Sequence, residues 1–350
     1  MAYTTINKGS LYMNPVIYTG SASSLAVTGV NFQPDMVWLK DRDNVFNHQL
    51  YDSVRTPTAD SALVPNQNFA ENDYNAFTSL DSDGFTLPGN VTGVNTNGTN
   101  YVSWNWKAGG TASSNTDGSI TSSVSANTTS GFSVVGWTGT GANATVGHGL
   151  GVVPKIIIVK NRNVVTNWIV GGSLIEDVGG STNNYLLLNE TAGMDSATTL
   201  YASYNTDTIG VKTDANVNGS GNGMVAYCFA DVKGFSKFGS YVGNGSTDGT
   251  FVYTGFKPAW LMVKRSSTSG TDWYMFDNKR NTFNVTNNYL DANTNDTEAS
   301  NISFDFTSNG FKLRDSQTIV NGSGSTFIYM AFAENPLVSN TSGGIPTTAR

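Results

Sequence analysis

One pattern occurs three times along the chain, and it restricts the fold more than any other feature. The first copy reads Tyr18-Thr-Gly20, then FQPDMVWLK (Phe32–Lys40), then NGTNYVSWNW (Asn97–Trp106). The second reads Trp137-Thr-Gly139, VVPKIIIVK (Val152–Lys160) and NGSGNGMVAYCF (Asn218–Phe229). The third reads Tyr241-Val-Gly243, FKPAWLMVK (Phe256–Lys264) and NGSGSTFIYMAF (Asn321–Phe332). Pro34, Pro154 and Pro258 each precede a lysine by six residues, and an Asn-Gly pair follows them by 63, 64 and 63 residues. Unrelated segments do not share such offsets, so the chain is a tandem repeat of a unit of roughly 100 residues. Between these blocks, Ser79–Leu87 in the first copy mirrors Ser303–Leu313 in the third, and the second keeps only Tyr204–Val211, without the Gly-Phe pair.

Each copy reads as strands. Lys155–Lys160 and Ala259–Lys264 are short, apolar runs bounded by turn residues, the pattern of central strands. A proline at the head of such a run costs no ladder hydrogen bond. Tyr101–Trp106 and Phe327–Phe332 alternate with period two and place aromatics on one face. Asn-Gly accepts the positive φ of tight turns. With no sustained 3.6-residue stripe, the fold class expected is all-β, three tandem β-sandwiches of jelly-roll or concanavalin-like type. The boundaries are an N-terminal arm at 1–11, repeats at 12–107, 131–233 and 234–337, a Gly/Ser/Thr-rich linker at 108–130 and a tail at 338–350. A linker of that composition implies flexibility, whereas repeat three follows repeat two at once. The expectation is therefore a stiffer pairing of two with three than of one with two.

Composition narrows function by exclusion. Only 13% of residues are charged, the net charge is −7 and aromatics reach 11%. No basic cluster could neutralise phosphate, so nucleic acid is not an expected partner. No apolar run approaches the roughly 18 residues of a membrane helix, and MAYTTINKGS lacks the regions of a secretory signal. The single Cys228 lies in an apolar run and reads as a buried thiol.

The chemistry-bearing residues are few. His48 and His148 are the only histidines, too few for a His-rich metal site, and neither sits in an evident Ser-His-Asp arrangement. Asp41/Asp43 and Asp81/Asp83 are short-range pairs of the kind found in Asx turns. The expectation is no catalytic residue, no cofactor and no metal. Trp104, Trp106, Trp168 and Trp273 are where a glycan contact would fall, with core packing as the competing reading, because these tryptophans recur at repeated positions. Trp168 and Trp273 follow their lysines by eight and nine residues. The charges beginning at Lys40, Lys160 and Lys264 read as solvated or paired at strand ends.

MAYTTINKGS, GVNFQPDMVWLKDRD, VGHGLGVVPKIIIVKNR and FIYMAFAENP together resemble tandem-repeat virion structural proteins, often called tail-fibre proteins, of tailed bacteriophages. The resemblance spans Met1 to about Pro336 and carries over no catalytic residue. It implies a non-enzymatic component of the virion surface, made in the host cytoplasm. Such a component attaches to other virion proteins, forms a homo-oligomer (a trimer in the reading adopted) and contacts host surface carbohydrate. Residues 1–11 are the expected attachment element. The alternatives are a capsid decoration protein and a polysaccharide-degrading enzyme.

Overall fold

The structure, a computed structural model, describes residues 4–55, 62–72 and 74–338. It is all-β, and each repeat is a sandwich of one main antiparallel sheet and one three-stranded sheet. In repeat one the main sheet runs in the order Met13–Thr19, Asn100–Trp106, Met36–Asp41, Gln49–Asp52, faced by Leu25–Thr28, Gly84–Leu87 and Ser79–Asp81. Repeat two uses the same order (Phe132–Thr138, Gly223–Phe229, Ile156–Asn161, Ile169–Gly171), and so does repeat three (Ser236–Val242, Thr326–Pro336, Phe256–Arg265, Trp273–Asp277). In each repeat these four are called the opening, closing, lysine and edge strands.

The lysine strands are buried along almost their whole length. This follows from their unbroken apolar runs, which have two faces to cover. In repeat one Val37 and Leu39 pack toward the small sheet, while Met36 and Trp38 join a second core shared with the other repeats. In repeat two Ile157 and Val159 face the small sheet and Ile156 and Ile158 face the shared core. At its centre Trp106, Phe229 and Phe332, each from a closing strand, meet pairwise at ring-centroid distances of 6.4, 5.9 and 6.0 Å. They mark a pseudo-threefold axis inside one chain.

Turn chemistry repeats with the same fidelity. Gly20, Gly139 and Gly243 must be glycine because a Cβ would overlap the carbonyl oxygen of Thr96, Gly219 or Gly322. The amides of Gly98, Gly221 and Gly324, all at positive φ, return to the carbonyls of those three glycines. The buried Asn95, Asn218 and Asn321 each accept from the amide just after the glycine that follows the opening strand (Ser21, Thr140 and Asn244) and donate back to loop carbonyls. The Asn-Gly pairs aligned in the sequence are thus offset. Asn95, not Asn97, is the partner of Asn218 and Asn321.

Three expectations are corrected. Residues 108–130 are not a loose linker: Ser122–Asn127 pairs with the opening strand of repeat two and Ser113–Asn115 pairs with it in turn. Their polar alternation hid strands because only one face needs apolar side chains, and Val124 and Ile120 supply them. The described part of the N-terminal arm is not free either. Ile6 is buried in the shared core, and Gly9–Leu11 packs on the closing strand of repeat three. Lastly, repeat two pairs with one as well as with three, since all three share one core. Of the expected tail, only residue 338 is described.

Candidate functional site

Many of the chemistry-bearing side chains lie at the three junctions between repeats. Each junction begins with one backbone bond: the amides of Glu71, Met194 and Glu298 donate to the carbonyls of Arg162, Ser266 and Arg42 at 2.8, 2.8 and 2.9 Å. A ring N–H closes each contact. Trp168 Nε1 donates to Val64 O (3.0 Å), Trp273 Nε1 to Leu187 O (2.9 Å), and His48 Nε2 lies 3.0 Å from Asp291 O. Repeat two thus donates to one, three to two and one to three, a closed cycle. His48 takes the place of the two tryptophans, and its spacing of eight residues from Lys40, unused in the sequence reading, is the signal that could have found it. Behind each ring an asparagine holds the backbone: Asn66, Asn189 and Asn293 accept from the amides of His48, Trp168 and Trp273.

Two junctions are ionic. Asp52 holds Arg55 through Nε at 2.5 Å and accepts the Tyr227 hydroxyl of repeat two at 2.6 Å. Glu71 joins Arg55 to Arg162 of repeat two. The third-to-first junction repeats these parts: Asp277 holds Arg280 at 2.6 Å and accepts Trp104 Nε1 at 3.0 Å, while Glu298 joins Arg280 to Arg42. Burial would raise the Asp277 carboxyl, but Arg280 overrides it and holds the group below its ordinary value. At the second-to-third junction Gly172 and Met194 stand at the positions of the Asp and Glu, and a helix, Ser173–Gly179, takes up the loop.

The repeated lysines are neither solvated nor ion-paired at strand ends; they are buried. Lys40 Nζ donates to Asp41 O (2.6 Å), Lys264 Nζ to Thr271 O (2.5 Å), and Lys160 Nζ to Thr166 O and, across the junction, to Asn68 O (3.1 Å). Burial pushes Lys160 down to about 7 and Lys40 and Lys264 down to about 8.

Both histidines are enclosed. Trp38 Nε1 donates to His48 Nδ1 (2.9 Å), so the imidazole proton sits on Nε2 facing the Asp291 carbonyl. His148 Nδ1 accepts from the Leu150 amide and Nε2 faces Asn205 O. Burial lowers the pKa of each. Asp41 and Asp83 accept neighbouring loop amides, and Asp81 accepts the Ser79 and Thr86 hydroxyls. Burial pushes the Cys228 thiol up to about 12.

The four tryptophans considered for glycan contact are buried, none more than 2% exposed. Trp104, Trp168 and Trp273 give their indole N–H across a junction, and Trp106 lies on the axis. With no free ring face they cannot stack on a sugar from solution. Open recesses lie elsewhere. One of about 430 Å³ opens between repeats one and two, and two others of about 410 and 450 Å³ lie beside Lys8/Asn278 and Asp35/Lys107. Among the described residues no group of three or more His, Cys, Asp or Glu is placed to hold a metal ion. No helix among them is long and apolar enough to cross a membrane.

The geometry defines a class: a single-chain, pseudo-threefold assembly of β-sandwiches closed around one core. By sequence the chain belongs to the family described as a domain of unknown function, DUF7483, whose model matches residues 8–336 and so takes in all three repeats. No curated protein and no solved structure matches it.

Proposed function

We propose that the chain is a non-enzymatic structural component of a bacteriophage virion surface, attached to other virion proteins and facing the host receptor. The observation that supports this reading is the use made of the polar side chains. Both histidines, the three repeated lysines and two Asp-Arg-Glu sets are occupied inside the body or in joining repeats, an economy suited to a rigid building block. The sequence resemblance to phage tail-fibre proteins supplies the particle. Self-association as a homotrimer belongs to the same reading, and a monomer mass in light scattering overturns it.

Antibody-gold electron microscopy of intact particles tests the proposal. Label at the tail tip is the expected result. Label over the head replaces the receptor-facing role by capsid decoration, and unlabelled particles overturn the virion assignment.

A further inference from the structure

The two ionic junctions are built from the same parts but differ in what they leave uncommitted. At the third-to-first junction Arg42 grips Glu298 with both Nε (3.0 Å) and Nη2 (2.8 Å). At the first-to-second junction Arg162 reaches Glu71 through Nε alone (2.6 Å), while Arg55 binds the other Glu71 oxygen. Among the described residues the Nη edge of Arg162 has no hydrogen-bond partner, and its Nη1 lies beside Gly223, on the wall of the 430 Å³ recess. Only this junction has strands Ser113–Asn115 and Ser122–Asn127, and residues 114 and 121–123 form the facing wall. Ser114, Thr121, Ser123 and Thr138 there are solvent-exposed, so the recess is lined with hydroxyls and carries one incompletely used guanidinium.

We infer that this recess binds a carboxylate-bearing saccharide unit, with the free edge of Arg162 taking the carboxylate and the Ser and Thr hydroxyls taking ring hydroxyls. A guanidinium presents paired N–H donors in a geometry that matches a carboxylate, and a volume in the range of ligand pockets admits a sugar unit. The site deepens the receptor-facing reading and rests on it for its biological meaning, although the binding itself is independent of where the chain sits.

Isothermal titration calorimetry of the full chain with galacturonate trimer, against neutral maltotriose, tests the inference. The expected result is binding of the acidic trimer at least about tenfold tighter than the neutral one, as a charge-assisted pair requires. Ser123→Trp, a change on an exposed wall position, abolishes binding without altering the melting temperature. Arg162→Gln brings the two affinities together. Absence of heat with the acidic trimer at millimolar concentration, or undiminished binding by Ser123→Trp, overturns the site. Tail-tip label without saccharide binding removes this inference alone, whereas saccharide binding with unlabelled particles removes the virion reading and leaves the site.

Discussion

The first-to-second and third-to-first junctions are held by buried ion pairs, and the second-to-third by apolar contact. Yet all three make the same backbone bond and the same ring N–H to carbonyl bond. The shared part is the geometry that closes the ring; the ion pairs are a variable layer on it. Where Asp52 and Asp277 sit, an Arg must follow three residues later, since a lone buried carboxylate is costly. Repeat two has Gly172 there, needs no counter-ion and presents Met330 of repeat three with an apolar partner surface. A buried charge set and a methionine can therefore serve one joint, provided that each is complete.

The largest effect is expected at the ionic junctions. Asp277→Ala strands Arg280 and the Trp104 N–H, and should cost about 3–5 kcal/mol in urea unfolding. A loss under about 1 kcal/mol would show that the ion pairs add nothing to the shared bonds. At the apolar junction Met330→Ala should cost about 2–5 kcal/mol through the cavity left in a core position only 2% exposed. Tyr227→Phe removes a neutral donor from the Asp52 carboxylate and should cost about 1.5–3 kcal/mol, read from the same unfolding curves.

A pair exchange sharpens the comparison further. Repeat one carries Trp38 with His48, where repeat two has Ile158 with Trp168 and repeat three has Met262 with Trp273. Trp38→Ile with His48→Trp recreates the arrangement of repeat two and should cost less than about 1.5 kcal/mol, while His48→Trp alone, which orphans the Trp38 N–H, should cost more. The exchange also removes a pH response. His48 binds its proton less tightly folded than unfolded, so it weakens the fold as pH falls below about 6.5. Stability measured from pH 7 to 5 should lose this part of its slope in the double variant and keep the part due to His148.

The lysines act in the same direction as the histidines, at higher pH. Their folded values of about 7 to 8 lie under an unfolded value of about 10.4, so the unfolded chain holds more protons between the two. Stability should rise with pH across that window, by on the order of 1 kcal/mol per pH unit for each lysine. A flat profile in chemical denaturation between pH 8 and 10 would contradict their burial.

Much of the fold was legible in the chain. The Pro-to-Lys runs, the aromatic alternation of Tyr101–Trp106 and the Gly-Phe hairpins identified strands because period and turn chemistry are local. Ser113–Asn127 was read as linker because its strands cover an edge with polar side chains, and composition alone does not separate that from flexibility. The Asn95 equivalence was missed because the letters Asn-Gly recur two residues later in repeat one, at Asn97-Gly98, although Asn95 lies eleven residues before Trp106 just as Asn218 does before Phe229 and Asn321 before Phe332.

The junction site was hidden for a different reason. His48, Trp168 and Trp273 share a position relative to their lysines, but a histidine and two tryptophans do not look alike as letters. Their common act, one ring N–H given to a neighbour's carbonyl, exists only between repeats.

The repeat number, the all-β class and the burial of the lysine strands were determined by the amino-acid sequence, because these depend on patterns within about 100 residues. What covers the second face was decided only in the tertiary structure. A buried strand requires an apolar neighbour without naming it. The choice of two sister repeats, which buried the tryptophans and lysines and left the Arg162 edge open, came from closing three twisted sheets around Trp106, Phe229 and Phe332.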